Sequence, residues 1–185
     1  MELVEGILEV GGERFPDTGA FVDALSAVGE AHGVTVQAFD ARYVVSRRHL
    51  ERALELADRE RERGAAIARD RAVEVLLYAA GRRQINRALA MGVGEGETPV
   101  VVLVDAETPA EESEEHGEDD EDDEHRERAA AAAVAELVEP AETLGSFDPE
   151  RVRAFFDVGE AELEATDADL ETLVLERVAL LVVER

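Results

Sequence analysis

Arg82, Arg83, Gln84 and Arg87 stand within six residues of one another, directly after Gly81. Guanidinium groups at that density suit phosphate or carboxylate oxygens, which they grip through paired N–H donors. Arg47, Arg48, His49 and Arg52 form a second basic set that extends the same surface if the helices carrying the two sets pack side by side. From Arg42 to Arg87 twelve arginines face seven acids, whereas the whole chain carries a net charge of −26. A positive island in an acidic chain points to a polyanion or to an acidic face of a partner. The alternative is a helix face laced with intrahelical ion pairs, and charge alone leaves both open.

Other constellations are weaker. Ser46 and His49 lie one helical turn apart, the spacing of a nucleophile and its base, but no third group or oxyanion site accompanies them. A helix cap beside a packed or partner-facing histidine explains them better. Gly92, Gly94 and Gly96 make a loop without the lysine a phosphate cradle needs. His116 and His125 sit among flexible carboxylates with no ordered ligand spacing, which reads as solvated linker and not as a metal site. No cysteine is present, so thiol catalysis, disulfides and thiolate metal sites are out of reach. The expectation is a binding or scaffold protein, not an enzyme, with no metal and no cofactor.

The elements that position the arginines follow from periodicity. Leu3 to Val10 reads as a strand running into the Gly11-Gly12 turn, where a hairpin is possible. Asp17 or Thr18 caps a helix with Phe21, Val22, Leu25 and Val28 on its apolar side, and Val34 to Phe39 is a second strand. Ser46 opens a long amphipathic helix that ends at Gly64. Asp70 caps the next helix, whose apolar set is Val73, Leu76, Leu77 and Ala80, and Gly81 ends it in a left-handed turn. A third helix is predicted over Arg82 to Met91. Pro99 to Val104 is a continuous apolar run, as a doubly covered strand requires. Helical periodicity resumes at about Arg128 and runs to Pro140. Asp148-Pro149 starts a helix that Gly159 ends, and a last amphipathic segment runs from Asp167 to Arg185, its VALLVV end readable as buried helix or strand.

This order predicts an α+β (mixed α/β) fold, a small few-stranded sheet packed with several helices. At 185 residues the chain is expected to form a single domain over 1–185. Thirteen acids crowd residues 107–128 with almost nothing apolar, so that stretch is expected to be a disordered or weakly helical insertion. All nineteen basic side chains are arginine against 45 acids, a composition like that of a halophile's proteome. In molar salt the Debye length falls to about 3 Å, which screens most of the self-repulsion. MELVEGILEV lacks a basic n-region and an apolar h-region, so the expected compartment is the cytoplasm.

The run AFDARYVVSRRHLERALELA, then EVLLYAAGRRQINRALAMGVG and a valine-rich strand, resembles the kinase-binding CGI subunit of the archaeal KEOPS complex. The ending ELEATDADLETLVLERVALL is similar to that family's C-terminal helix. The specific parts are the leucine-rich helix followed by a glycine, the Arg83-Gln84 pair and Ile85, together with Ser46, His49 and Leu50. The resemblance implies a small mixed α/β fold and a non-catalytic subunit of the machine that installs threonylcarbamoyladenosine beside the anticodon of tRNA. It implies two partners, the complex's small atypical kinase/ATPase and tRNA held by its 3′ CCA end. Carried onto this chain, Arg82, Arg83, Gln84, Arg87, Arg47, Arg48 and His49 are the expected tRNA contacts. Ile85, Leu89 and Leu77 are the expected kinase-docking residues. Self-association in the absence of the partner, and a purely structural interaction module without RNA binding, stay open.

Overall fold

The computed structural model describes residues 1–106, 118–165 and 169–183. The fold is α+β, as the element order predicts. Contacts divide it into two compact units, one formed by Met1–Ala38 and Gly94–Glu142, the other by Phe39–Val93 and Thr143–Arg185. Each unit is assembled from two stretches of chain, so no single cut in the sequence separates them.

The first unit contains most of a four-stranded sheet, in the order β2-β3-β1-β4. Strand β1 (Glu2–Val10) alternates, burying Gly6, Leu8 and Val10 while Glu9 stays exposed. No hairpin forms at Gly11-Gly12. The partner of β1 is instead β3 (Gly96–Ala106), antiparallel in a register that sets Glu2 against Val104 and Val10 against Gly96. Val100 to Val104 are all fully buried, the coverage that an uninterrupted valine-leucine run demands. Strand β4 (Glu139–Pro140) pairs with β1 at Gly6 and Ile7. A Cβ on Gly6 would stand 2.6 Å from both the Glu139 carbonyl oxygen and Val138 Cγ2, so only glycine admits this approach.

Helix α1 (Thr18–His32) is capped by Asp17, which accepts from the Ala20 N–H, and β2 (Val34–Asp40) follows. The helix numbered α5 in chain order (Glu118–Ala135) packs on β1 and β3 and beside α1. It starts ten residues before helical periodicity resumes in the sequence. Its first two turns hold the acidic run, where the helix dipole favours negative charge. The remainder of the stretch read as an insertion, 107–117, lies outside the described residues. Glu127 ties α5 to the sheet: one carboxylate oxygen accepts from the Ala106 N–H at 2.9 Å and the other from the Met1 ammonium at 2.6 Å. Burial opposes that ammonium's charge, but Glu127 and Asp105 outweigh it and hold its pKa above 8.0.

The second unit is helical. A 3-10 turn at Ala41–Tyr43 leads to α2 (Arg47–Glu62), capped by Ser46, and then α3 (Arg71–Ala79), capped by Asp70. After the short helix α4 (Ile85–Ala88) the chain returns to this unit with α6 (Pro149–Phe156), α7 (Glu160–Ala165) and α8 (Leu170–Leu180). Asp148 and Pro149 open α6 as expected, but it ends before Gly159, at Asp157, which takes the left-handed conformation with φ 55°. The ambiguous C-terminal run is helix as far as Leu180. Helix α2 packs on α3 and α8, and α8 also touches α3 and α6. Among the described residues, no helix is long and apolar enough to cross a membrane.

Candidate partner and nucleic-acid interface

Helix α3 is the post on which the arginine segment stands. Six consecutive residues, Val75 to Ala80, carry no polar group except the Tyr78 hydroxyl, and all are buried. A helix apolar on every side belongs inside its unit. Leu77 is therefore core and has no surface to offer a kinase, which corrects its expected docking role. The charged residues of α3 are also turned to structure. Arg71 grips Asp58 of α2 through two bonds of 2.8 and 2.7 Å, and the buried Glu74 carboxylate accepts the N–H groups of Ile67 and Ala68 in the α2–α3 loop.

The helix ends in a Schellman turn: Gly81 N–H bonds Tyr78 O, Arg82 N–H bonds Leu77 O, and Gly81 has φ 58°. A Cβ at Gly81 would meet the Arg177 carbonyl oxygen of α8 at 3.3 Å, so conformation and packing both call for glycine. Beyond it the predicted ten-residue helix is broken. Residues 82–84 lie outside any helix, with Gln84 extended, α4 has four residues, and a 3-10 turn at Leu89–Met91 completes the segment. Arg82 and Arg83 thus precede the short helix instead of belonging to it. The cause is tertiary. Arg82 donates to the Phe155 carbonyl and, at 2.8 Å, to Asp157, with its guanidinium 5.6 Å from the Phe155 ring centre. Arg83 donates to the Leu181 carbonyl at 3.4 Å. These anchors to the ends of α6 and α8 hold residues 82–84 out of the helix that local propensity favours, while the buried Ala88 and Met91 pin the far side.

What the segment displays is specific. Ile85 is 48 % and Leu89 54 % exposed, and their i,i+4 spacing sets them on one face. Arg83, Gln84 and Arg87 are exposed around them, and Arg87 has no ion-pair partner among the described residues. Of the second set, Arg48 is exposed, Arg47 pairs with Glu51 at 2.8 Å, and Arg52 pairs with Glu55 at 3.0 Å. The ion-pair alternative therefore holds for part of α2 and not for Arg87.

His49 does not belong to this surface. Its ring has no exposure, lies edge-on to Phe156 at 5.7 Å, and bonds the Ala79 carbonyl through Nε2 at 2.8 Å. A side chain sealed inside the unit does not touch RNA, which corrects its expected role. Burial drives its pKa down to about 4, against the Ala79 hydrogen bond and the Glu171 charge, so the ring is neutral at pH 7. Nor is it a base for Ser46, whose hydroxyl donates to Glu171 at 2.7 Å and accepts the His49 backbone N–H at 3.2 Å. Arg59 is a basic residue that the arginine spacing did not single out. Burial, then the carboxylates of Glu74 and Glu60, raise the Tyr78 phenol's pKa, while the charges of Arg83 and Arg59 pull it down. A helical wheel of α2 puts Arg59 near the buried Leu56 and Glu60, a signal visible only once α3 is known to run alongside.

Among the described residues, no cluster of His, Asp or Glu is placed to hold a metal ion. The arrangement presents aliphatic side chains to a partner and guanidinium and amide donors to anionic oxygens. The family model described as kinase binding protein CGI-121 matches residues 23–181. Comparison with curated proteins finds no match.

Proposed function

The chain belongs to the CGI-121 family of kinase-binding proteins, and from that premise we propose that it is a non-catalytic subunit of a KEOPS complex, joining the complex's small kinase/ATPase to tRNA. The observation that carries this reading is the segment Arg83–Leu89, where two exposed aliphatic side chains are ringed by arginine and glutamine on a rigid post. Ile85 and Leu89 are the anchors for the kinase, since exposed aliphatics on one helical face suit a desolvated protein contact. Arg83, Gln84 and Arg87, with Arg47 and Arg48 on α2, are the contacts for the tRNA's 3′ CCA end. Arg82, committed to Phe155 and Asp157, positions the segment.

The lysine-free acidic composition fits a halophile's cytoplasm. Counterion release fades steeply as salt rises, so recognition there rests on the directed hydrogen bonds and stacking that arginine provides. The engagement of both Arg82 and Arg83 with main-chain carbonyls favours a second reading, in which the segment docks protein alone.

One titration separates the two. In about 2 M KCl, which suppresses the nonspecific phosphate contribution, the purified chain is titrated with full-length tRNA, with tRNA lacking CCA, and with the kinase; Ile85→Asp and Arg87→Glu are run alongside. The adaptor reading expects CCA-dependent binding weakened by Arg87→Glu and kinase binding weakened by Ile85→Asp. Equal affinity for the two RNAs, or none for either, leaves the protein-docking module.

A further inference from the structure

The last turn of α3 leaves one acceptor to be met from outside the helix. Gly81 N–H goes to Tyr78 O and Arg82 N–H to Leu77 O, so neither of the donors that close the turn reaches Ala79 O, one of the orphan carbonyls of a helix C-terminus. That oxygen receives His49 Nε2 at 2.8 Å, from the first turn of α2, thirty residues earlier. A carbonyl only accepts, so Nε2 must carry the proton and Nδ1 must be bare. Nδ1 is buried with no hydrogen-bond partner among the described residues. The ring therefore sacrifices one nitrogen's hydrogen bond and keeps a single polar tie, made to the residue two positions before the left-handed turn.

We propose that His49 is a positioning residue for the docking segment: its Nε2–H caps the end of α3 and thereby fixes the direction in which the chain leaves Gly81 for Arg82–Leu89. The proposal rests on the functional reading of that segment. Helix α2 presents the ring, α3 gives the Ala79 carbonyl and α6 the Phe156 ring, while Glu171 of α8, whose carboxylate accepts the Ser46 hydroxyl, acts on it through its charge. The charge of Glu171 favours protonation of the ring. Burial outweighs that pull, so the ring is neutral and its one proton sits on Nε2 against the Ala79 carbonyl. Since Phe155 of α6 and Leu181, directly after α8, carry the carbonyls that Arg82 and Arg83 grip, the ring and the two arginines hold the entry to the same segment.

The test uses the full chain at pH 7 with His49→Phe, which fills the space without a donor, and His49→Gln, whose amide N–H can replace Nε2–H. Amide hydrogen exchange is read at Gly81 and Arg82 against Val75 to Leu77 in the same helix. Loss of about one hydrogen bond's worth of protection, roughly tenfold, at Gly81 and Arg82 in His49→Phe, restored in His49→Gln and matched by weaker kinase binding in the first variant only, supports the proposal. Uniform loss along α3, or a glutamine variant no better than phenylalanine, overturns it. If His49→Phe does not fold, the nitrogen-15 shifts of the wild-type ring decide: a bare Nε2 with the proton on Nδ1 overturns the cap, and the reverse tautomer supports it. Failure of the wild type to bind kinase or tRNA would sink the functional reading while leaving the exchange result to judge the cap.

Discussion

The helix pair α2–α3 and the segment Gly81–Met91 draw on the same residues, arginine among alanine and leucine, and turn their polar groups in opposite directions. In the pair, most charge is closed on itself, with Arg48 left exposed. Arg71 holds Asp58, Glu74 holds two loop N–H groups, Arg63 pairs with Glu60 at 3.0 Å, and Arg61 donates to the Arg69 carbonyl. In the segment, Arg82 and Arg83 reach sideways to main-chain carbonyls, Ala88 and Met91 are buried, and Gln84, Ile85, Arg87 and Leu89 are exposed. A scaffold satisfies its charges internally, whereas a displayed segment is held by its backbone neighbours so that its own side chains stay available. Breaking the scaffold should therefore cost stability, and breaking the display should cost binding.

The largest expected effect lies in the scaffold. Glu74→Ala removes a buried carboxylate and strands the N–H groups of Ile67 and Ala68, which it accepts at 3.0 and 2.6 Å. Charge-assisted bonds contribute about 1.5–3 kcal/mol each, so a loss on the order of 4 kcal/mol is expected in denaturant unfolding. The folded fraction should bind kinase as before. A loss below about 1 kcal/mol, or binding that falls while stability does not, would erase the distinction between the two regions.

Next is the acid response of the same scaffold. His49 titrates near 4 in the folded chain and near 6.5 when unfolded. Between those values the unfolded chain binds the extra proton, so stability is fully present above pH 6.5 and falls as pH drops toward 4. At about 1.4 kcal/mol per unit this amounts to roughly 3 kcal/mol across the window. His49→Gln should flatten that part of the stability-versus-pH curve. If the two curves run parallel from 6.5 to 4, the ring is not held neutral by its burial.

The division was partly legible in the sequence. Asp17, Ser46, Asp70 and Asp148 cap the helices they were expected to cap, because an N-cap depends on a side chain and the three residues after it. The run Val75 to Ala80, polar only at the Tyr78 hydroxyl, also announced a helix buried on all sides, and that pattern would have excluded Leu77 from the surface. His49 shares a face with Ala53, Leu56 and Glu60 of α2, so its burial was readable from spacing too. The break of the helix after Arg82 was not, because it comes from carbonyls more than seventy residues away in α6 and α8. The pairing of β1 with β3, whose facing residues Val10 and Gly96 lie far apart in sequence, was equally out of reach. Non-local partners leave no periodicity at either end.

The smallest effects give the finest test, because they compare one arginine with another. Arg87 is exposed with no ion pair among the described residues, whereas Arg52 is joined to Glu55 at 3.0 Å on an exposed helix face. An exposed i,i+3 pair is worth about 0.5 kcal/mol or less, and molar salt reduces it further. Each reversal to glutamate should thus leave stability within about 0.5 kcal/mol of the parent. Binding should separate them. Arg87→Glu removes an available donor beside Ile85 and Leu89 and sets a carboxylate there, a change expected to weaken tRNA binding by roughly tenfold, about 1.4 kcal/mol. Arg52→Glu removes a group already occupied by its neighbour and should change it less than about twofold. Equal losses in the two variants would mean that binding follows the summed charge of the arginine island; unequal losses in this order would mean that it follows the display of one segment, as the anchoring of Arg82 and Arg83 requires.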